Sequence, residues 1–141
     1  MRKRRDSQKS GLAGELFVAA ELFKRELQVS LTLGNAKSVD LFAYSETTKK
    51  KYNIQVKTLR NTNCFPLRIQ DVIPDHTYVF VLLNNPGDAV EYFILSGREI
   101  IKDERSLYCN GDGHDDRAAV KIGPLKARYR DRWHLFGLER G

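Results

Sequence analysis

The sequence predicts one α/β domain built on a mixed sheet of four or five strands with flanking helices. Three observations carry that expectation: apolar residues at helical spacing near the start, three alternating β-rich segments directly after them, and a continuous apolar run at 78–83. At 141 residues, 41% hydrophobic and 30% charged, the chain suffices for one domain with its own core.

Residues 1–10 are polar and basic without periodicity, so a flexible basic tail is expected there, with the domain spanning 11–141. Between 11 and 27, Leu12, Leu16, Ala20, Phe23 and Leu27 recur at helical spacing behind Ser10 as an N-cap. This predicts an amphipathic helix with that stripe on the core. Alternation predicts strands over 28–33, 39–44 and 51–58, separated by a Gly34–Asn35 turn and by polar residues 45–50. The stretch 61–76, broken by Pro66 and Pro74, reads as an irregular crossover. Residues 78–83 read as a strand covered on both faces, and 90–95 as its partner across a turn at 84–88. A short helix over 98–105 and a polar loop over 108–116 follow. The end, around 129–138, is expected to fold back on the body through Trp133 and Phe136.

Lys and Arg number 24 against 18 acidic residues, a net charge of +6 with a pI near 9.4. That balance favours a polyanionic partner, although many basic proteins merely carry a solvated positive surface. Cys64 and Cys109 stand far apart and outside any Cys-x-x-Cys spacing, so neither a zinc site nor a disulfide framework is expected. A reducing cytoplasmic location fits. The basic opening residues are followed by polar residues 6–10, where a secretory signal would need an apolar stretch. No apolar run approaches the ~18 residues that span a bilayer, so no membrane association is expected.

If strands 39–44 and 51–58 form a hairpin centred between Thr47 and Thr48, Asp40 stands opposite Gln55, Leu41 opposite Ile54 and Ala43 opposite Tyr52. One face of that hairpin is then apolar. Asp40, Gln55 and Lys57 project together from the other, as does Phe42, which would need cover from another element. A carboxylate, an amide oxygen and the backbone carbonyl of Val56 are oxygen donors suited to a hard divalent cation. Lys57 beside them supplies a cation for an attacking water or for charge growing on a phosphoryl group.

Plainer readings stand beside these. Glu15 can also be read as a solvent-facing helix glutamate, Lys57 as an edge-strand charge that discourages aggregation, and Asp40 with Gln55 as a structural polar pair. Asn110, Asp112, His114 and Asp116 alternate as in a calcium loop, but Asp115 and Lys121 occupy positions where Gly and Glu are wanted. A solvated loop is expected. The basic cluster over 126–132, interleaved with Tyr129 and followed by Trp133, reads either as a phosphate-contacting, base-stacking surface or as a docked terminal segment.

Asp40 followed by Gln55-Val56-Lys57 resembles the bipartite signature of the PD-(D/E)XK nucleases, in its variant with Gln replacing the second acid. Residues 11–22, with Gly11, Gly14 and Glu15, resemble the first helix of the Holliday-junction-resolvase-like branch of that superfamily. The resemblance implies a restriction-endonuclease-like αβββαβ core and a Mg²⁺ ion, with Mn²⁺ as an alternative, held by Glu15, Asp40, Gln55 and the Val56 carbonyl. Glu15, Asp40, Gln55 and Lys57 would be the catalytic set of an endonuclease hydrolysing DNA phosphodiester bonds with metal-activated water. A homodimer is expected for duplex or branched DNA. Arg2, Lys3, Arg4, Arg5, Lys126, Arg128 and Arg130 would be its phosphate contacts. The alternative is a catalytically inactive nucleic-acid-binding module on the same fold; a third reading is a protein-interaction domain.

Overall fold

The computed structural model describes residues 7–34, 38–61 and 63–137. Its centre is a five-stranded mixed sheet made of β1 (Gln28–Leu31), β2 (Leu41–Tyr44), β3 (Lys51–Leu59), β5 (Thr77–Leu82) and β6 (Glu91–Ser96), in the order β1-β2-β3-β5-β6. Strand β3 runs parallel to β5; the other neighbouring pairs are antiparallel. Every residue of β5 is buried, as its unbroken apolar run requires of a strand covered on both faces. The β2–β3 hairpin adopts the expected register, with Leu41 opposite Ile54 and Ala43 opposite Tyr52. Its turn closes through Ser45, which accepts from Lys49 N–H and donates its own N–H to the Lys50 carbonyl.

Between β3 and β5 an αβββαβ order would place a helix. Here the chain instead forms β4 (Phe65–Pro66) and a 3-10 turn at Ile69–Asp71. Pro66 and Pro74 interrupt any helical run, as the irregular reading of 61–76 anticipates. Strand β4 pairs with β7 (Ala119–Val120) in a two-stranded ribbon lying on one face of the sheet. That face also carries α2 (Gly97–Lys102), α3 (Glu104–Leu107) and α4 (Ile122–Arg128), around a core that includes Phe65, Tyr78, Phe80, Phe93, Tyr108 and Leu125. Ser96 and Glu99 form a reciprocal capping box that starts α2. The helix expected over 98–105 is thus two short helices meeting at Asp103.

The opposite face carries α1 (Ser7–Lys24) and the 3-10 turn Trp133–Phe136. To reach it, the chain after α4 crosses the outer edge of β6, where Tyr129 accepts from Ile94 N–H and Asp131 donates to the Tyr92 carbonyl. This covers an edge that would otherwise invite strand pairing. Trp133 and Phe136 are buried, so the terminal segment docks as expected, and Arg25 lies 4.4 Å from the Trp133 ring centre. Among the described residues no helix is long and apolar enough to cross a membrane.

Helix α1 departs from expectation twice. It begins within the stretch read as a tail, so Ser10 is a buried helical residue and not an N-cap. Its core face is also not the predicted stripe. Ser10, Gly14, Val18 and Leu22 face the sheet, whereas Leu12, Leu16, Phe17 and Phe23 are 41, 50, 44 and 51% exposed. Ala20 is exposed too; of the predicted stripe only Leu27, beyond the helix, is buried. The small residues win because the helix lies close on β3: a Cβ on Gly14 would stand 1.9 Å from Thr58 Oγ1.

That contact sets a pair of opposite expectations. Gly14→Ala should destabilise by about 1–3 kcal/mol, because α1 or Thr58 must move. Gly11→Ala, whose added methyl meets nothing within 4 Å, should stabilise by about 0.5–1 kcal/mol through helix propensity. Chemical denaturation of both variants measures the contrast; equal effects would mean that Gly14 does not set the helix–sheet distance.

Candidate metal-binding cleft

Asp40 is placed by the way β2 begins. Thr32 holds the preceding backbone, donating its hydroxyl to the Val39 carbonyl at 2.7 Å and its N–H to the Asp40 carbonyl at 3.1 Å. Asp40 N–H bonds the Ile54 carbonyl, so the regular ladder stops at Leu41–Ile54 and the two strands diverge. The expected backbone pairing of Asp40 with Gln55 is therefore replaced by a side-chain contact. Asp40 Oδ2 accepts from Val56 N–H at 2.7 Å. Because N–H and C=O of one strand residue point to the same edge, the Val56 carbonyl also faces this gap beyond the end of β2.

Gln55 is buried and oriented from β5. Its Nε2 donates to Tyr78 Oη at 2.9 Å and lies 3.0 Å from His76 Nδ1. Tyr78 Oη also accepts from Ile73 N–H at 2.9 Å. An amide nitrogen has only hydrogens to offer, so His76 must present a lone pair at Nδ1, as a neutral ring does. Burial acts in the same sense, holding the His76 pKa below its ordinary value against the opposing pull of Asp75. With both Nε2 hydrogens engaged, Oε1 remains the amide atom free to take a ligand.

Lys57 lies two residues on, in register with Phe80 and half-buried. Because β2 pairs with β3 only as far as Ile54, Lys57 has β5 on one side and the open gap beyond β2 on the other. Asp40, Gln55 and Lys57 line one cleft of 420 Å³, together with Ser38, Asp71 and Asp116. Its outer wall is the ribbon, through Pro66, Leu67, Arg68 and Ala118. Phe42, on the same face, gains no cover and is 42% exposed.

Glu15 is not among the residues lining that cleft, because α1 packs on the other face of the sheet. It nonetheless stands within electrostatic reach of Asp40. Burial first, and the Asp40 carboxylate second, raise its pKa above the ordinary glutamate value. The predicted four thus separate into three residues in the cleft and one across the strand ends, coupled to them through Asp40.

The proposed phosphate contacts are less concentrated. Arg2, Lys3, Arg4 and Arg5 fall outside the described residues. Arg130 pairs with Glu91 at 2.7 Å beside β6, on the far side of the sheet from β2, and Arg128 donates to Ser106 Oγ at 2.8 Å. Lys126 is exposed on α4. Tyr129 and Trp133 are buried, which removes the base-stacking reading of this cluster in favour of docking. Arg68, Asp71, Asp116, His76 and Tyr78 enter the site from segments read as crossover, loop or core. The one local signal was the i,i+3 spacing of Arg68 and Asp71, which form an ion pair at 3.1 Å.

A carboxyl-resolved NMR titration tests the Glu15–Asp40 coupling. Glu15 should titrate above the ordinary value of 4.5, and Asp40→Asn should lower its midpoint part of the way, burial supplying the rest. Because the folded pKa is the raised one, Glu15 opposes folding as pH climbs from 4.5 through its folded midpoint. Glu15→Gln should therefore flatten that decline in stability; an unchanged Glu15 midpoint in Asp40→Asn would separate the two groups. No protein-family model, curated protein or solved structure matches this chain.

Proposed function

We propose that the chain is a metal-dependent endonuclease of the restriction-endonuclease-like kind, hydrolysing phosphodiester bonds of DNA. One observation carries the reading: Asp40, Gln55 and Lys57 line a single cleft, with Glu15 electrostatically coupled to Asp40 across the strand ends. On this reading the β4–β7 ribbon takes the place of the helix that the αβββαβ order puts between the third and fourth strands.

The donor set fits a hard divalent cation. Asp40 has Oδ1 available beside the Oδ2 already bonded to Val56 N–H, Gln55 has Oε1, the Val56 carbonyl faces the same gap, and Glu15 adds a second carboxylate. A cation beside them would offset the burial and the Asp40 charge that raise the Glu15 pKa. Bound Mg²⁺ or Mn²⁺ would supply Lewis-acid polarisation of a phosphoryl oxygen and a more acidic water.

The protein's own contributions follow from position. Among the described residues none pairs with the Lys57 ammonium. Its Nζ can donate to a phosphoryl oxygen or to the attacking water, and in a half-buried cleft that attraction exceeds its value in bulk water. Arg68 faces it from the ribbon, held by Asp71 at 3.1 Å and reaching Asp116 at 3.9 Å. Its guanidinium suits a neighbouring phosphate and so orients the strand. A second reading has its own support. Asp40 Oδ2 and Gln55 Nε2 are both spent on internal hydrogen bonds, as they would be in an inactive nucleic-acid-binding module.

Cleavage assays on duplex, branched and single-stranded DNA with Mg²⁺ or Mn²⁺ distinguish the two. Asp40→Ala and Lys57→Ala should each lower cleavage by about 10²-fold or more while DNA binding persists. Metal-independent binding without cleavage by the unaltered chain would select the inactive module, and no DNA affinity at any salt concentration would overturn both. Cutting both strands of a duplex needs two such sites, so active protein should sediment as a homodimer.

A further inference from the structure

Cys64 and Cys109 are separated by 45 residues, yet their sulfur atoms lie 3.4 Å apart. The ribbon explains how. Phe65 pairs with Val120, and Tyr108 bridges the same Val120 from its other side. Sharing Val120 as a partner brings the segments that carry Cys64 and Cys109 together, and the Lys121 N–H bond to the Leu107 carbonyl at 2.8 Å ties the Cys109 segment to β7. Both cysteines are half-buried free thiols, close enough to react with one another and open enough for a small reagent to reach.

We propose that Cys64 and Cys109 form a reversible intramolecular disulfide that fixes the ribbon walling the cleft. A disulfide requires the sulfurs to approach to about 2.05 Å, a movement of roughly 1.4 Å from their present separation. Glutathione disulfide, or another small disulfide, is the oxidant. One cysteine thiolate attacks it, forming a mixed disulfide and expelling one glutathione thiolate; the neighbouring thiolate then attacks the protein sulfur of that mixed disulfide and expels the second. The protein loses two S–H bonds, gains one S–S bond and gives up two electrons. The oxidant takes the electrons, and the two protons end on two glutathione thiols.

The consequence lies at the other end of the ribbon. Cys64 immediately precedes β4, which carries Pro66 and leads into Leu67 and Arg68 of the cleft wall, and Ala118, just before β7, lines the same wall. The ribbon's two pairs, Phe65–Val120 and Pro66–Ala119, continue into a Leu67 N–H bond to the Ala118 carbonyl at 3.2 Å, so a covalent link beside the first pair restricts how far the wall can open. In a reducing compartment the link would be transient, as regulatory disulfides are. This inference does not depend on the nuclease reading.

The test uses the full chain incubated with glutathione disulfide, then alkylated and mapped by mass spectrometry without reductant. The expected result is a peptide pair joined through Cys64 and Cys109, with no alkylated thiol and full reversal by dithiothreitol. Amide hydrogen exchange over 65–68 and 118–120 should slow in the oxidised form, and the melting temperature should rise by several degrees. Cys64→Ser and Cys109→Ser should each abolish these shifts; because the map is made on the unaltered chain, it decides even if a variant folds poorly. Alkylation of both thiols after treatment, separate glutathione adducts, or links between chains would overturn the proposal.

Discussion

The short hydrogen bond from Val56 N–H to the Asp40 carboxylate organises the rest of the site. At that point β2 has stopped pairing with β3, and a backbone donor near the sheet centre would otherwise lose its partner. Leaving such a donor unsatisfied costs about 1–3 kcal/mol. Supplying the partner from a side chain ends the ladder without that cost and fixes the carboxylate at the strand edge. The same divergence turns the Val56 carbonyl toward the gap and leaves Gln55 and Lys57 projecting past the end of β2. Thr32 makes the divergence possible by holding the two carbonyls of the departing backbone.

Most of the sheet was legible because alternation is a local signal. The β2–β3 register followed from matching apolar partners, and a slip of one residue would have turned Leu41 and Ile54 away from α1. Lys57 followed from Gln55 by the two-residue period. The divergence at Asp40 was not legible, since it depends on Thr32, eight residues earlier and just past the end of β1. Nor were the partners of Gln55 readable, because Tyr78 sits within an apolar run indistinguishable from core and His76 at the end of a crossover without periodicity.

Helix α1 shows a different failure. Its existence was readable; its orientation was not, because it is apolar around much of its circumference. Choosing the larger side chains as the core stripe follows hydrophobicity alone. The fold instead buries the stripe that lets the helix approach β3, with Gly14 where a larger residue would collide with Thr58 and small Ser10 on the same stripe. That orientation also decides where Glu15 falls. It flanks the buried stripe, half-buried, and so reaches the electrostatic field of Asp40 while remaining on the helix side of the sheet. Had the predicted stripe been buried, Glu15 would have moved with it.

The two sides of the cleft therefore differ in mechanical character. Asp40, Gln55 and Lys57 belong to a sheet whose ladders and double-sided core resist local opening. The facing wall is carried by a ribbon of two pairs, extended by the Leu67–Ala118 and Ile69–Gly113 backbone hydrogen bonds. Local stability follows buried apolar contact and backbone pairing, so a change in cleft width must come chiefly from the ribbon. Phe65 and Val120 anchor one end of it in the core, whereas Arg68 and Asp116 at the cleft are tied by exposed ion pairs, worth about 1 kcal/mol or less each. A substrate phosphate competing for Arg68 would thus meet little resistance from its present partners, while the groups proposed to hold a cation stay in place. Preorganisation on the sheet and compliance on the ribbon follow from one feature of the sequence, the prolines that keep 61–76 from becoming a helix.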